Sequence, residues 1–207
     1  MRVYHFLPAR HAVEDIEKRR LKIAQLDDLN DPFELISLEL SDRAFRKVYR
    51  SFIKDMAQRF GVICFSKNWR NPVLWSHYAD KHRGVCLGFD VSDQFLMKVT
   101  YAGERLSKKI RGELAHGGLN EKDMQEILTT KFKDWEYEDE VRGFLRLEDR
   151  DPETGFYFKT FCDDQVLRQV ILGARCSVTK AALAGPLYRP SDVSFTHLAF
   201  SDQPSTR

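Results

Sequence analysis

Apolar positions along this chain recur with two periods. Strand-length runs, alternating or continuously apolar, occur at residues 3–7 (VYHFL), 21–26 (LKIAQL), 62–65, 84–91 (GVCLGFDV), 95–101, 156–161 (FYFKTF), 166–172 and 193–200. A longer alternating stretch, residues 135–147 (WEYEDEVRGFLRL), also reads as a strand. Helical spacing appears at residues 11–19, 41–60, 72–81, 121–132 and 179–184. In the second of these, Ser41 is placed to cap the start, and Phe45, Val48, Phe52, Ile53 and Met56 form one apolar stripe. Gly61 follows as a stop.

Turn chemistry separates these elements. Asn30-Asp31-Pro32 combines side chains that bond their own backbone with a fixed φ. Residues 149–155 (DRDPETG) form a turn that predicts a hairpin between its flanking strands. Residues 104–120 are polar, with Gly112, Gly117 and Gly118, and mark an insertion of loop and helix around 102–132. The expectation is one α+β domain over 1–207, with about eight strands in mixed, largely antiparallel sheets and four or five helices.

Composition narrows the class. Apolar residues make up 43% of the 207, and 15 Phe, 7 Tyr and 3 Trp exclude a disordered chain. A net charge of +2 gives no electrostatic prediction of nucleic-acid binding. The opening RVYHFL is too short and polar for a secretory leader, and no apolar run reaches the ~20 residues of a membrane span. Cys64, Cys86, Cys162 and Cys176 lack CxxC spacing, and the first two sit in apolar strand patterns. A reduced, cytoplasmic protein with no membrane partner is expected; the oligomeric state is open.

Candidate chemistry concentrates in residues 61–91. There Ser66, Trp75, Ser76, His77, Tyr78 and His82 crowd between two buried strands. Helical spacing puts Trp75 and Tyr78 on one face, which suits either packing onto a sheet or a site. His77 and His82, five apart, share no helix face, so no metal is predicted. His5 alternates with Val3 and Leu7, an apolar setting that asks for a polar partner. On the strand at 135–147, period two puts Glu136, Glu138, Glu140 and Arg142 on one face. Three carboxylates in a row repel unless solvated or paired, or unless one stabilises positive charge in a reaction.

The blocks YHF, LNDPFE, CFS, WSHYADKHRGVCLGFD and WEYEDEVR resemble a bacterial family, the domain of unknown function 2971, whose name assigns no activity. The order of parts is also similar to the ADP-ribosyltransferase plan of the histidine–tyrosine–glutamate type. That resemblance implies a split sheet and an NAD-consuming transferase modifying a protein or nucleic acid. Such enzymes serve in conflict with phage or competitors. It implies His5 on the adenosine ribose, Tyr78 on nicotinamide, and Ser66 or Ser76 supporting the pocket. Glu140 or Glu138 would be the catalytic carboxylate, with Arg142 orienting it or binding pyrophosphate. LNDPFE has no place in that plan. Asp31 and Glu34 are either turn residues or site acids, and with Glu138 and Glu140 they permit a metal-dependent hydrolase or nuclease instead. A non-catalytic binding or regulatory module is the third reading.

Overall fold

In a computed structural model, residues 1–29, 43–104, 121–183 and 193–198 are described. Ser41, Asp31 and Glu34, the turn Asn30-Asp31-Pro32, and residues 105–120 of the expected insertion lie outside the described residues. Among the described residues eleven strands run β1 Arg2–Leu7, β2 Arg20–Gln25, β3 Phe60–Ser66, β4 Val85–Val91, β5 Met97–Lys98, β6 Thr100–Ala102, β7 Thr130–Phe132, β8 Glu140–Arg146, β9 Tyr157–Thr160, β10 Gln165–Leu172 and β11 Ser194–His197. Five helices are interspersed among the described residues: α1 Ala9–Glu17, α2 Arg43–Arg59, α3 Pro72–Tyr78, α4 Glu121–Thr129 and α5 Lys180–Leu183. The fold is α+β with a largely antiparallel sheet. No helix among the described residues is long and apolar enough to cross a membrane.

The main sheet has the order β11-β10-β4-β1-β3-β2-β9, with β8 on β3 and β5 on β8. Its central irregularity is at β3. Strand β8 pairs with β3 over its whole length, Phe60↔Arg146 to Ser66↔Glu140. That occupies one edge, so β1 and β2 share the other. Strand β2 takes Gly61 and Val62, whereas β1 meets β3 only at Tyr4↔Ser66. Strand β1 instead spends six register pairs on β4. The sheet therefore splits between β1 and β3, and residues 63–65 face a gap on that edge.

Helices cover both faces. Ile16 and Ala12 of α1 pack with Val3, Leu7, Val85 and Leu87 in the largest core cluster. On the opposite face, Trp75 and the following Ala79 pack on Cys86 and Ile171, and Phe6 meets the Trp75 ring edge-on at 5.2 Å. The buried stripe of α2 runs Phe45, Tyr49, Met56 and Ala57; Val48 is exposed.

Several expected elements differ. Gly61 does not stop a helix. It sits inside β3, where a Cβ would lie 2.7 Å from the Ala24 carbonyl, so the close β2–β3 approach requires glycine there. The strand expected at 95–101 is broken into a 3-10 turn, Asp93–Phe95, and the short β5 and β6. The helix expected to reach residue 132 ends at Thr129, and β7 follows. The hairpin across 149–155 does not form. Strand β9 pairs with β2, while β8 is held by β3 and β5. The stretch 135–147 is two elements: a 3-10 turn, Lys133–Glu138, and β8, joined by Asp139 at φ 43°.

Candidate functional site

The gap between β1 and β3 opens into a cavity. His5, Ser66, Tyr78, Glu138 and Glu140, taken from four separated stretches of sequence, all line it, together with Lys131.

His5 bridges the split. Its Nδ1 lies 2.9 Å from the Cys64 carbonyl oxygen, so Nδ1 carries the proton and donates. A side-chain hydrogen bond thus spans the gap where the β1–β3 ladder has stopped. Burial of the ring pushes its pKa below the ordinary value, against the pull of the Cys64 carbonyl. The ring is neutral near pH 7, and Nε2 is an acceptor. Phe65 meets it edge-on at 5.8 Å.

Helix α3 is fixed locally. Asn71 caps it by accepting from Val73 N at 2.9 Å, and Pro72 occupies the first turn. The Asn71 amide also donates to the Tyr137 carbonyl at 2.9 Å, tying the helix to the 3-10 turn before β8. Trp75 is fully buried and donates from Nε1 to the Trp69 carbonyl. This is the packing role open to it from sequence. Tyr78, one turn on, points to the cavity, and its hydroxyl donates to Glu138 Oε1. Ser76 is exposed and absent from the cavity. About 100° of helical rotation separates it from Trp75, whose burial turns Ser76 to solvent. Ser66 lines the cavity, but its hydroxyl is engaged in a turn, donating to the Asn68 carbonyl and accepting from Asn68 N.

The acids behave unlike a strand row. Glu136 is exposed and off the strand. The left-handed Asp139 folds the chain so that Glu138 and Glu140 both meet one ammonium. Lys131 Nζ lies 2.6 Å from Glu138 Oε2 and 3.2 Å from Glu140 Oε2. Arg142 grips both oxygens of Glu140, Nε to Oε1 at 2.9 Å and Nη2 to Oε2 at 3.1 Å. Its Nη1 donates to the Leu128 carbonyl at 2.8 Å, which lies in the last turn of α4 where carbonyls lack helical partners. Arg142 is 0% exposed and does not line the cavity, so it orients Glu140 rather than reaching a ligand.

Burial raises the Glu140 pKa, with Lys131 pulling the other way. Burial lowers Lys131, but the charges of Glu140 and Glu138 outweigh it and hold the ammonium above its usual value. Burial brings Arg142 down to about 10, still charged at neutral pH. Cys64 is pushed well above the ordinary thiol by burial and then by Glu140, so it is no nucleophile. Tyr101 accepts from Glu140 N at 2.8 Å and fixes the strand's first residue.

Lys131 is the residue that sequence reasoning missed. Hydropathy buries Phe132 and exposes Lys131; the structure does the reverse, at 54% and 6% exposure. A signal was present in the unpaired carboxylates, which demanded a cation beyond Arg142. His77 and His82 do not converge. His77 lies exposed among Tyr78, Trp135 and Tyr137, and His82 stacks on Trp75. Among the described residues no three His, Cys, Asp or Glu are grouped to hold a metal ion.

Among known proteins, the sequence model of a family described as a protein of unknown function, DUF2971, matches residues 74–143. No curated protein and no solved structure matches the chain. The matched stretch contains Tyr78, Lys131, Glu138, Glu140 and Arg142, while His5 and Ser66 precede it. Over residues 74–143, then, the chain matches the model of the family of unknown function DUF2971, the family that its sequence blocks resemble.

Proposed function

We propose that the cavity between β1 and β3 binds NAD and that the protein transfers ADP-ribose from it to a protein or nucleic-acid acceptor. The observation that carries this reading is the convergence of His5, Tyr78 and Glu138 on one cavity at the split in the sheet. The bond that breaks joins ribose C1′ to the nicotinamide nitrogen. Nicotinamide leaves with the electron pair, C1′ bonds to an acceptor oxygen or nitrogen, and the acceptor's proton passes to solvent.

Positive charge builds on the ribose as the bond breaks, and a carboxylate beside it lowers the barrier. Glu138 suits that task better than Glu140. Glu140 is clamped at both oxygens by the buried Arg142 and met by Lys131 as well, whereas Glu138 meets Lys131 at one oxygen and the Tyr78 hydroxyl at the other. Glu138 faces Tyr78, whose ring is the platform for nicotinamide. His5 Nε2 is an acceptor for an adenosine ribose hydroxyl. Glu140 and Arg142 set the position of β8.

A non-catalytic binding role has one observation in its favour: both carboxylates are already paired with cations. One experiment separates the readings. The protein is incubated with NAD and candidate acceptors, and free nicotinamide is measured beside NAD binding. Release that falls by about 100-fold or more in Glu138→Gln, with NAD binding retained, is expected for transfer. Binding without release selects the binding module. Release unchanged in Glu138→Gln overturns the residue assignment.

A further inference from the structure

Behind the same pair of strands lies a second cavity. Register places Ile63 opposite Gly143, and Phe65 opposite Val141, on the face turned away from Cys64, Arg142 and Glu140. Ile63, Phe65, Phe95 and Leu145 supply apolar wall. Gly143 supplies open floor: a Cβ there would meet only the Phe95 carbonyl, at an ordinary 3.6 Å.

Two polar features make this more than a packing defect. Gln165 lines the cavity, is 6% exposed, and its Nε2 is buried with no hydrogen-bond partner among the described residues. A buried amide donor left unpaired is unfavourable unless something accepts from it. Lys159, half-buried on the same wall, makes no ion pair among the described residues. Asp164, exposed, adds one negative charge at the lining and disfavours a multiply charged anion.

We propose that this cavity is a second ligand site, separate from the first, which takes a small amphipathic monocarboxylate. The apolar body lies against Ile63, Phe65 and Phe95 over Gly143. The carboxylate accepts from Gln165 Nε2 and faces the Lys159 ammonium. The site shares Phe65 with the first cavity, so its occupancy bears on the wall of both.

The test is calorimetric titration of the full chain with octanoate, octan-1-ol and octylamine. Octanoate is expected to saturate with a Kd below about 1 mM, and both other probes to bind at least about fivefold more weakly. Gly143→Leu fills the floor and abolishes the octanoate heat. Gln165→Leu removes the unpaired donor, keeps the fold, and weakens octanoate about five- to tenfold. Melting curves of both variants confirm folding, and Gln165→Leu stands alone if Gly143→Leu fails to fold. Absence of saturation, octylamine binding as tightly as octanoate, or octanoate binding undiminished in either folded variant overturns the proposal. None of these readouts depends on nicotinamide release.

Discussion

Arg142 and Gly143 are neighbours in sequence and opposites in environment. Arg142 points to the face of β8 where every polar atom is contested: it holds Glu140 through two nitrogens and the end of α4 through a third. Gly143 points to the other face, where a cavity leaves room for more atoms than are present. The strand period of two puts a tightly specified ionic cluster and an under-filled apolar space back to back. What differs is the cost of error. A buried charge without its partner is among the most expensive defects a core can hold, while an added methyl over a void costs little.

The largest effect expected from breaking this contrast is on the charged face. Arg142→Met leaves Glu140 buried with Lys131 as its one cation among the described residues, and costs about 3–5 kcal/mol of stability in urea unfolding. Converting Glu140→Met in the same chain restores much of that loss, because the apolar pair no longer strands a charge. A single-variant loss below about 1 kcal/mol would show that the cluster is not desolvated in solution.

Lys131→Met acts on the same cluster by another route. It removes the ammonium shared by two carboxylates and costs about 2–3 kcal/mol at pH 7. The pH dependence has a definite sign. Glu140 has a folded pKa above its unfolded value, so its contribution to stability is fully present below the ordinary carboxylate pKa and lost as pH rises through the folded one. Removing Lys131 moves that folded pKa further up. The deficit of Lys131→Met is therefore smaller at pH 5 than at pH 7 when unfolding midpoints are compared. A deficit that grows on acidification would reverse the assignment.

This cluster also shows what was legible in the sequence. Strands β1, β3, β4 and β10 were readable because continuous apolar runs bounded by Gly or Pro admit few alternatives. His5 was readable as a candidate because it sat on an apolar strand face, Tyr78 because it shared a helix face with Trp75 in a crowded polar segment, and Glu138 and Glu140 because carboxylates shared one strand face. The alternation of WEYEDEV was misleading. A 3-10 turn and a left-handed Asp139 carry the same letters as a strand, and side-chain period cannot see a positive φ. The β9–β2 pairing was hidden for a different reason. A turn signal at 149–155 gives the reversal but not the partner, which the separate hold of β3 and β5 on β8 decides. Lys131 was hidden because burial of a lysine depends on acids seven and nine residues away that a local window reads as solvated.

The smallest effect is expected at Gly143, and it sharpens the contrast most directly. Gly143 has no positive φ among the glycines and residues that adopt one, so an L side chain fits its backbone without strain. The nearest atom to an added Cβ stands at ordinary contact distance. Gly143→Ala should therefore leave the fold unchanged and raise stability by about 0.5 kcal/mol, chiefly by restricting the unfolded chain. Gly61→Ala in the neighbouring strand is the control, because its Cβ would come within 2.4 Å of Ile23 and 2.7 Å of the Ala24 carbonyl. Paired urea titrations of the two variants measure the difference. Equal destabilisation at both positions would mean that the space over Gly143 closes in solution, and that the two faces of β8 are packed alike.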